Sequence, residues 1–278
     1  MQVLVEEIKT ELDAFDIYSL FKEDKTAAIL DSAMSYENLG RYSFVGLNPF
    51  TTFKYEEKTC TINGEKVSGE PFEELKKLIN TYKVENNTKL PYIAGAIGYF
   101  SYDLGRTIEE LPIMALEEVK IPDCYFYFYD NAIVVDNLEK KTYITGLGIL
   151  KSSENSVGEI RGRILKGNRV KYDELNKSYT EFTSNFGKDE YIDTVEKVRQ
   201  YIRTGDIYIT NLTQRFCCDT TKDPYEVYKN LRHINPAPFA GFMNIEDFSI
   251  VSSSPERFLE IKNNIVETRP IKGTRPRR

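Results

Sequence analysis

The sequence predicts an α+β fold in which antiparallel β-sheets are flanked by a few helices. Short β-branched and aromatic runs, such as residues 51–55 and 59–62, are separated by turn residues. Asn63 and Gly64 stand between two such runs, and both residues tolerate the positive φ of a tight hairpin turn. Helical patterns are few and do not alternate regularly with strands, which argues against a doubly wound parallel sheet.

The first half of the chain contains one clear helix among its strands. Pro71 suits the first turn of a helix over residues 71–82. Residues 95–103 alternate small and large side chains, as in a strand packed closely against another backbone. The aromatic run 125–129 and the apolar run 132–135 predict two buried antiparallel strands that belong to the core. The apolar residues of the helix share one face, namely Phe72, Leu75, Leu78, Ile79 and Tyr82.

Residues 151–185 are mostly polar and rich in Lys and Arg, which predicts a solvated helix followed by a linker. The sequence therefore predicts an N-terminal region over 1–150, the linker over 151–185, and the first part of a second domain over 186–278. In that last part we expect a helix over 189–204 that ends at Gly205, and a strand over 206–216. Further elements follow, namely a helix from Pro224 with Val227, Leu231 and Ile234 on its buried face, two strands over 239–245 and 248–253, and a hairpin around Asn263 and Asn264.

Composition excludes several classes of function. The 278 residues carry 37 Lys and Arg against 43 Asp and Glu, a formal charge of −6, so the chain is a poor general nucleic-acid binder. No run approaches the roughly 20 apolar residues that span a bilayer, so no membrane role is expected. The N-terminus has acids where a signal peptide would be apolar, and the four cysteines suit reduced thiols. We therefore expect a soluble, cytoplasmic protein.

Polar residues that could carry chemistry collect in the last part of the chain. A strand over 206–216 would present Asn211, and two later segments, 253–257 and 269–275, are rich in charged and hydroxyl side chains. Between Pro270 and Gly273, a tight segment could aim Lys272 into a cavity. Considered alone, the same segment also fits a surface turn with a solvated lysine, and Glu256 also fits an ordinary surface acid.

Ordered stretches along nearly the whole chain resemble the chorismate-utilising enzymes. In the second half the chain is similar to them at GDIYITNLTQRF (205–216), NPAPFAGFM (235–243), SSSPERFLEI (252–261) and ETRPIKGTRPR (267–277). In the first half the similar stretches are AILDSA (28–33), GRYSFVGLNP (40–49), GAIGYFSYDLGRTIEELP (95–112) and IPDCYFYFYD (121–130). The resemblance implies an anthranilate synthase-like fold, incomplete at the C-terminus.

One position distinguishes the branches of this family. Members that make anthranilate typically read PIAGT, whereas those that make 4-amino-4-deoxychorismate, the precursor of p-aminobenzoate and folate, typically read PIKGT, as this chain does. The resemblance implies that Lys272 adds to C2 of chorismate while the C4 hydroxyl leaves, and that ammonia then enters at C4 and expels the lysine. Only a neutral amine attacks, so burial or the nearby positive charge of Arg269 and Arg275 is expected around Lys272.

The remaining catalytic assignments also come from the resemblance. Glu256 corresponds to a general acid, which would have to be protonated in a partly desolvated site. Thr274, Arg275 and Asn211 are expected to contact the substrate. Members that add water carry a lysine on the strand corresponding to 206–216; here that position is Ile209, which cannot activate water and favours amination.

The first half implies a second ligand. In relatives an LLES-like motif and part of the NPxPF region form a tryptophan pocket, and the matching residues here are Leu30, Asp31, Ser32, Pro238 and Phe239. Asp31 replaces the usual glutamate and is one methylene shorter. Packing between the two halves is the alternative role of these residues.

The resemblance also implies partners and a metal. A glutamine amidotransferase would supply ammonia, and Mg²⁺ would be bound by carboxylates beyond the last residue of this chain, so no metal ligand is assigned within it. Two other functions stay open at this point. One is anthranilate formation in tryptophan biosynthesis, and the other is an inactive fragment that binds only tryptophan or the partner subunit.

Overall fold

A computed structural model describes residues 2–34, 39–113, 118–172, 180–273 and 275–276. The chain forms two compact units, one from Met1–Tyr172 and Pro224–Arg278, the other from Asp173–Asp223. The first half contains β1 (Leu4–Ile8), α1 (Ala14–Ser19), β2 (Ala28–Asp31), β3 (Tyr42–Glu56), β4 (Thr59–Ile62), β5 (Glu65–Val67), α2 (Pro71–Thr81), β6 (Gly95–Phe100), a 3₁₀ turn (Tyr102–Thr107), β7 (Cys124–Asp136) and β8 (Lys141–Gly146). The rest contains α3 (Ser153–Leu165), β9 (Thr183–Ser184), α4 (Lys188–Thr204), β10 (Phe216–Cys217), α5 (Pro224–Ile234), β11 (Phe239–Ile245), β12 (Phe248–Ser254), β13 (Arg257–Lys262) and β14 (Ile265–Arg269).

A ten-stranded antiparallel sheet dominates the larger unit, which confirms the predicted α+β class. Its main path runs β1-β8-β7-β3-β2-β11-β12, with β4, β5 and β6 attached at the side. The long strands β3 and β7 pair along most of their length, with Val45 opposite Ile133. The pairing of β2 with β11 joins the two ends of the chain, because Leu30 lies opposite Gly241.

The core lies on the faces of this sheet. Helices α1, α3 and α5 contribute to one cluster with β3, β7 and β11, through residues such as Phe15, Val157 and Tyr228. The predicted aromatic run is core, since Tyr125, Tyr127, Phe128 and Tyr129 are all at most 4% exposed. The prediction that the runs 125–129 and 132–135 form two antiparallel strands is wrong, because both lie on the single strand β7. The expectation of a wholly solvated helix after residue 151 is wrong, because one face of α3 is buried against the sheet at Val157, Ile160 and Ile164.

Local sequence features explain several boundaries. Asn63 and Gly64 have φ of 51° and 82°, so they turn the chain between β4 and β5 as predicted. A Cβ added to Gly98 in β6 would lie 2.1 Å from the carbonyl oxygen of Tyr125, so this strand needs a residue without a side chain there. No helix in the described ranges is long and apolar enough to cross a membrane.

The smaller unit corrects one prediction. Helix α4 ends at Gly205, whose φ of 84° is left-handed, as expected. The predicted strand over 206–216 is wrong, because only Phe216 and Cys217 pair, with Ser184 and Thr183. An alternating sequence forms a strand only where its backbone N–H and C=O groups pair with a neighbouring strand. Among the described residues, no strand pairs in this way with residues 206–215. Ile209 is accordingly 72% exposed.

Candidate active site

The β13–β14 hairpin brings Glu256 and Lys272 to one end of a strand pair. Asn263 and Asn264, with φ of 50° and 61°, turn the chain between the two strands. Glu256 immediately precedes β13, and Lys272 follows β14 by three positions. Because antiparallel strands place the start of one beside the end of the other, both residues lie at the end away from the turn.

Lys272 and Glu256 are in direct contact. The Nζ of Lys272 donates a hydrogen bond to Oε2 of Glu256 at 2.7 Å. The Lys272 side chain is 64% exposed and that of Glu256 28% exposed. The structure therefore brings together the two residues that the sequence singled out. Among the described residues, Lys272 is not buried as expected. The catalytic roles of Lys272 and Glu256 stay a prediction.

Glu267 bridges two arginines beside this pair. Arg257 and Arg269 are opposite one another in the register of β13 and β14. Glu267 Oε1 accepts from Arg257 Nη1 at 2.7 Å and from Arg269 Nε at 2.6 Å. The hydrogen bond from Arg269, together with both positive charges, holds the pKa of Glu267 below its ordinary value. Arg269 thus contacts a carboxylate of the hairpin, a contact that the sequence did not predict.

The structure does not show Thr274, Arg275 or Asn211 together with the Lys272–Glu256 pair. Arg275 is exposed, and Thr274 lies outside the described residues. Asn211 is an exposed residue of the smaller unit. The assignment of these three residues to substrate binding stays a prediction.

All five residues of the predicted tryptophan pocket line one cavity of about 990 Å³. The pairing of β2 with β11 places Leu30 and Asp31 beside Gly241 and Ala240. Ser32 Oγ donates to the carbonyl oxygen of Tyr42 at 2.7 Å and lies 3.1 Å from that of Pro238. The resemblance therefore selected residues that are neighbours in space, namely Leu30, Asp31, Ser32, Pro238 and Phe239.

The carboxylate of Asp31 is buried beside helix α5. Arg232 Nε donates to its Oδ2 at 2.6 Å, and the Tyr228 hydroxyl donates to the same oxygen at 3.2 Å. The side chain of Asp31 is 1% exposed and that of Arg232 14%. Burial raises the pKa of Asp31 above its ordinary value, although the charge and hydrogen bond of Arg232 oppose this shift.

Sequence reasoning missed Arg232 and Tyr228. The predicted buried face of α5 is wrong, because its buried residues are Tyr225, Tyr228 and Lys229, while Ile234 is 61% exposed. Polar side chains on the buried face satisfy Asp31, which an apolar pattern cannot reveal. The spacing of Tyr228 and Arg232, one helical turn apart, was the available signal.

The described residues do not form a metal site. Within the described ranges, no group of three His, Cys, Asp or Glu side chains is placed to hold an ion. His233, the single histidine, stacks on Tyr172 with ring centroids 4.6 Å apart. Mg²⁺ therefore stays a prediction with no ligand among these residues, and no chemical step is derived through it.

Comparisons with known proteins show which proteins this chain is similar to. A family profile described as chorismate binding enzyme matches residues 26–278. The chain is 34% identical to anthranilate synthase component 1 of Acetivibrio thermocellus, over 94% of this chain and 57% of that protein. It is 31% identical to aminodeoxychorismate synthase component 1 of Bacillus subtilis, over 93% of this chain and 56% of that protein.

A solved structure shows the same fold. The crystal structure of anthranilate synthase component I from Streptococcus pneumoniae TIGR4 superposes with a TM-score of 0.72 at 27% identity, covering 84% of this chain and 54% of that one. The chain thus spans a little over half the length of the curated relatives it matches. On the profile match and these relatives, the chain belongs to the family of chorismate-binding enzymes.

Proposed function

We propose that this chain contributes to the amination of chorismate to 4-amino-4-deoxychorismate. The observation that carries the proposal is the contact between Lys272 and Glu256 at 2.7 Å. A nucleophile and a proton donor are the two groups that replacement of a poor leaving group requires. Relatives named aminodeoxychorismate synthase component 1 in B. subtilis and Escherichia coli, both 31% identical, support the same reaction.

A single proton transfer within this pair prepares both groups. In the ion pair, Lys272 is an ammonium, which cannot attack, and Glu256 is a carboxylate, which cannot donate. Transfer of one proton from Nζ of Lys272 to Oε2 of Glu256 gives a neutral amine and a carboxylic acid. A substrate that displaces water from the exposed pair favours this neutral form, because desolvation disfavours both charges.

The reaction then balances in two displacements. The Lys272 amine bonds to C2 of chorismate while the C4 hydroxyl takes the proton of Glu256 and leaves as water. Ammonia bonds to C4, and the C2–N bond breaks to release the Lys272 amine. We propose that a glutamine amidotransferase supplies the ammonia, and that the protein acts in the cytoplasm with Mg²⁺ bound by residues other than those described here.

Anthranilate formation is the second candidate. The 34% identity to anthranilate synthase component 1 of A. thermocellus favours it. Against it stands Lys272, since a lysine at this position supplies a nucleophile that the PIAGT pattern lacks. Tryptophan binding stays a prediction for the cavity beside Asp31, and an inactive fragment that only binds a ligand or a partner is the third outcome to be tested.

Product analysis distinguishes these functions. The purified chain, alone and mixed with a polypeptide that supplies the remaining length of the B. subtilis relative, is incubated with chorismate, Mg²⁺ and ammonium. Aminodeoxychorismate lyase converts the expected product to p-aminobenzoate, whereas anthranilate is detected by its fluorescence. We expect p-aminobenzoate. Anthranilate as the main product would establish the second candidate, and chorismate left unchanged in both mixtures would support the inactive fragment.

Two variants test the roles within the pair. Glu256→Gln keeps the shape of the side chain but removes the acid, and we expect kcat to fall about 100-fold to 10,000-fold. Lys272→Ala removes the nucleophile and should abolish the aminated product. Lys25→Ala, an exposed lysine elsewhere in the chain, is the matched control and should leave the rate unchanged. Full activity of Lys272→Ala would overturn the assigned role.

A further inference from the structure

Another cavity of the larger unit, of about 380 Å³, is lined by helix α2, the loop after it, and strands β6 and β7. It shares no lining residue with the cavity beside Asp31, and neither Lys272 nor Glu256 contributes to it. Its volume lies within the range of about 300–1,000 Å³ that is typical of small-molecule sites. The amination proposed above gives this cavity no role.

Helix α2 leaves part of its apolar face uncovered at this cavity. Leu75 and Leu78 pack against the sheet and are at most 9% exposed. Ile79 follows Leu75 by one helical turn, but it is 51% exposed and lines the cavity. Ala96 of β6 also lines it and pairs with Phe128 of β7, so its short side chain leaves space that a larger one would occupy.

Three aromatic side chains contribute to the walls of this cavity. Phe126 and Phe128 come from β7, and Tyr82 follows the last residue of α2. The ring centroid of Tyr82 lies 6.2 Å from that of Phe128 and 4.7 Å from that of Phe50, so contacts within the protein hold its position. Because aromatic rings gain from offset and edge-to-face contacts, such walls favour an aromatic ligand.

Lys83 supplies a positive charge at the same cavity. It is the one charged side chain among the described residues that line the cavity, and it is exposed. Over the described part of the chain, no carboxylate lies within 4.0 Å of its ammonium group, that of Glu85 included. The lining therefore combines a single available cation with apolar and aromatic surface.

We propose that this cavity binds a small aromatic monocarboxylate. The ring would pack against Ile79, Phe126 and Phe128, and the carboxylate would pair with Lys83. A second carboxylate on the ligand would meet no further cation among the described lining residues and would lose part of its hydration, so a dicarboxylate should bind less tightly. This inference goes beyond the proposed amination and does not depend on it.

Three probes test the proposed ligand class by ligand-observed NMR titration of the full chain. They are 3-phenylpropanoate, its neutral analogue 3-phenylpropan-1-ol, and propanoate, which keeps the charge but lacks the ring. We expect the aromatic acid to bind about threefold to fivefold more tightly than the alcohol, and added salt to reduce this difference. Propanoate should bind more weakly than either, because it buries little apolar surface.

Lysine variants locate the binding. Lys83→Gln should weaken 3-phenylpropanoate about threefold and leave the alcohol nearly unchanged. Lys76→Gln removes an exposed lysine of the same helix that does not line the cavity, and it should change neither probe. Lys140→Gln, in the cavity beside Asp31, should also leave the acid unchanged. Loss of binding in Lys140→Gln but not in Lys83→Gln would place the acid in that other cavity and overturn the assignment.

A pair of substitutions at Ile79 separates charge from apolar contact. Because Ile79 is 51% exposed and Glu and Gln are good helix formers, both variants should fold, which circular dichroism checks. Ile79→Gln should weaken the acid and the alcohol to the same extent. Ile79→Glu adds a carboxylate to the lining and should weaken the acid about threefold more than the alcohol. Acid and alcohol of equal affinity in the parent chain, no binding of the acid up to about 10 mM, or an acid insensitive to both Lys83→Gln and Ile79→Glu would overturn the proposal.

Discussion

Arg232→Ala should be among the most destabilising single changes in the larger unit. Arg232 is 14% exposed and binds three groups, because it donates to Asp31 at 2.6 Å, to Asp13 at 3.0 Å and to the Tyr172 hydroxyl at 3.1 Å. Removing it leaves the carboxylate of Asp31 buried, with only hydroxyl donors at 3.2 Å and 3.4 Å. An uncompensated buried charge is the main cause of the loss.

The size of the loss follows from these exposures. Breaking a buried ion pair by removing one partner destabilises a protein by about 3–5 kcal/mol. Because Arg232 is partly exposed, water enters the space it leaves, and we expect about 3 kcal/mol, at the lower end of that range. The matched control is Lys76→Ala, which removes a pair whose side chains are 68% and 66% exposed. That change should cost at most about 0.5 kcal/mol.

The loss should also depend on pH. Burial already raises the pKa of Asp31, and removal of Arg232 raises it further because the opposing positive charge is gone. A carboxylic acid whose pKa is raised in the folded state contributes stability at pH values below its unfolded-state pKa. That contribution is lost as pH rises through the folded-state pKa. The difference between Arg232→Ala and the parent chain is therefore largest at neutral pH and shrinks in acid.

Urea unfolding followed by circular dichroism measures both effects. Free energies of unfolding are taken at pH 7 and pH 5 for the parent chain, Arg232→Ala and Lys76→Ala. A loss below about 1 kcal/mol at pH 7 would refute the importance of the buried pair. A loss that does not shrink in acid would refute the assignment of the effect to the charge of Asp31.

Three further predictions concern the same fold. An Ellman titration should modify only two of the four thiols in the native protein, since burial raises the pKa of Cys124 to about 12 and also raises that of Cys60, whereas Cys217 and Cys218 are exposed; four fast thiols would contradict this. Gly98→Ala should cost about 3 kcal/mol in urea unfolding because its Cβ would lie 2.1 Å from a backbone oxygen, whereas Gly105→Ala has open space and should be nearly neutral. Asp136→Asn should cost about 1 kcal/mol at pH 7. Burial raises the pKa of Asp136, but Arg41 and the backbone N–H groups of Leu138 and Glu139 together hold it below its ordinary value of 3.8. The stability that the charge of Asp136 contributes is therefore lost as pH falls below 3.8. A difference between Asp136→Asn and the parent chain that does not depend on pH would contradict this.

Local sequence patterns were sufficient for much of the larger unit. Asn63 with Gly64, and Asn263 with Asn264, mark hairpin turns because these residues accept positive φ, and both turns form. The aromatic run 125–129 is core, as its composition indicates. Each of these features depends on a few neighbouring residues, so the sequence contains the information directly.

Features that depend on distant segments were harder to predict. The strand expected over 206–216 does not form beyond Phe216 and Cys217, since alternation does not specify a partner strand. The polar face of α5 is buried because Asp31, about 200 positions earlier in the chain, needs Arg232 and Tyr228. Patterns of apolar residues cannot indicate such a pairing.

The candidate site also contains features that the sequence predicted and features that it did not. Resemblance selected Lys272 and Glu256, and the hairpin places them in contact. It also selected the five residues around the cavity, which share one lining. The contacts of Glu267 with Arg257 and Arg269 were not predicted, because they depend on which charges are paired in the folded chain.

Mass spectrometry of Lys272 tests the central claim most directly. The chain, together with the polypeptide that supplies the relatives' remaining length, is incubated with chorismate and Mg²⁺ in the absence of ammonia, so that the second displacement cannot occur. We predict an adduct on the peptide that contains Lys272, with the mass of chorismate less one water, which disappears when ammonium is added. An unmodified Lys272 after chorismate has been consumed, or an adduct on a different lysine, would contradict the assignment of Lys272 as the nucleophile.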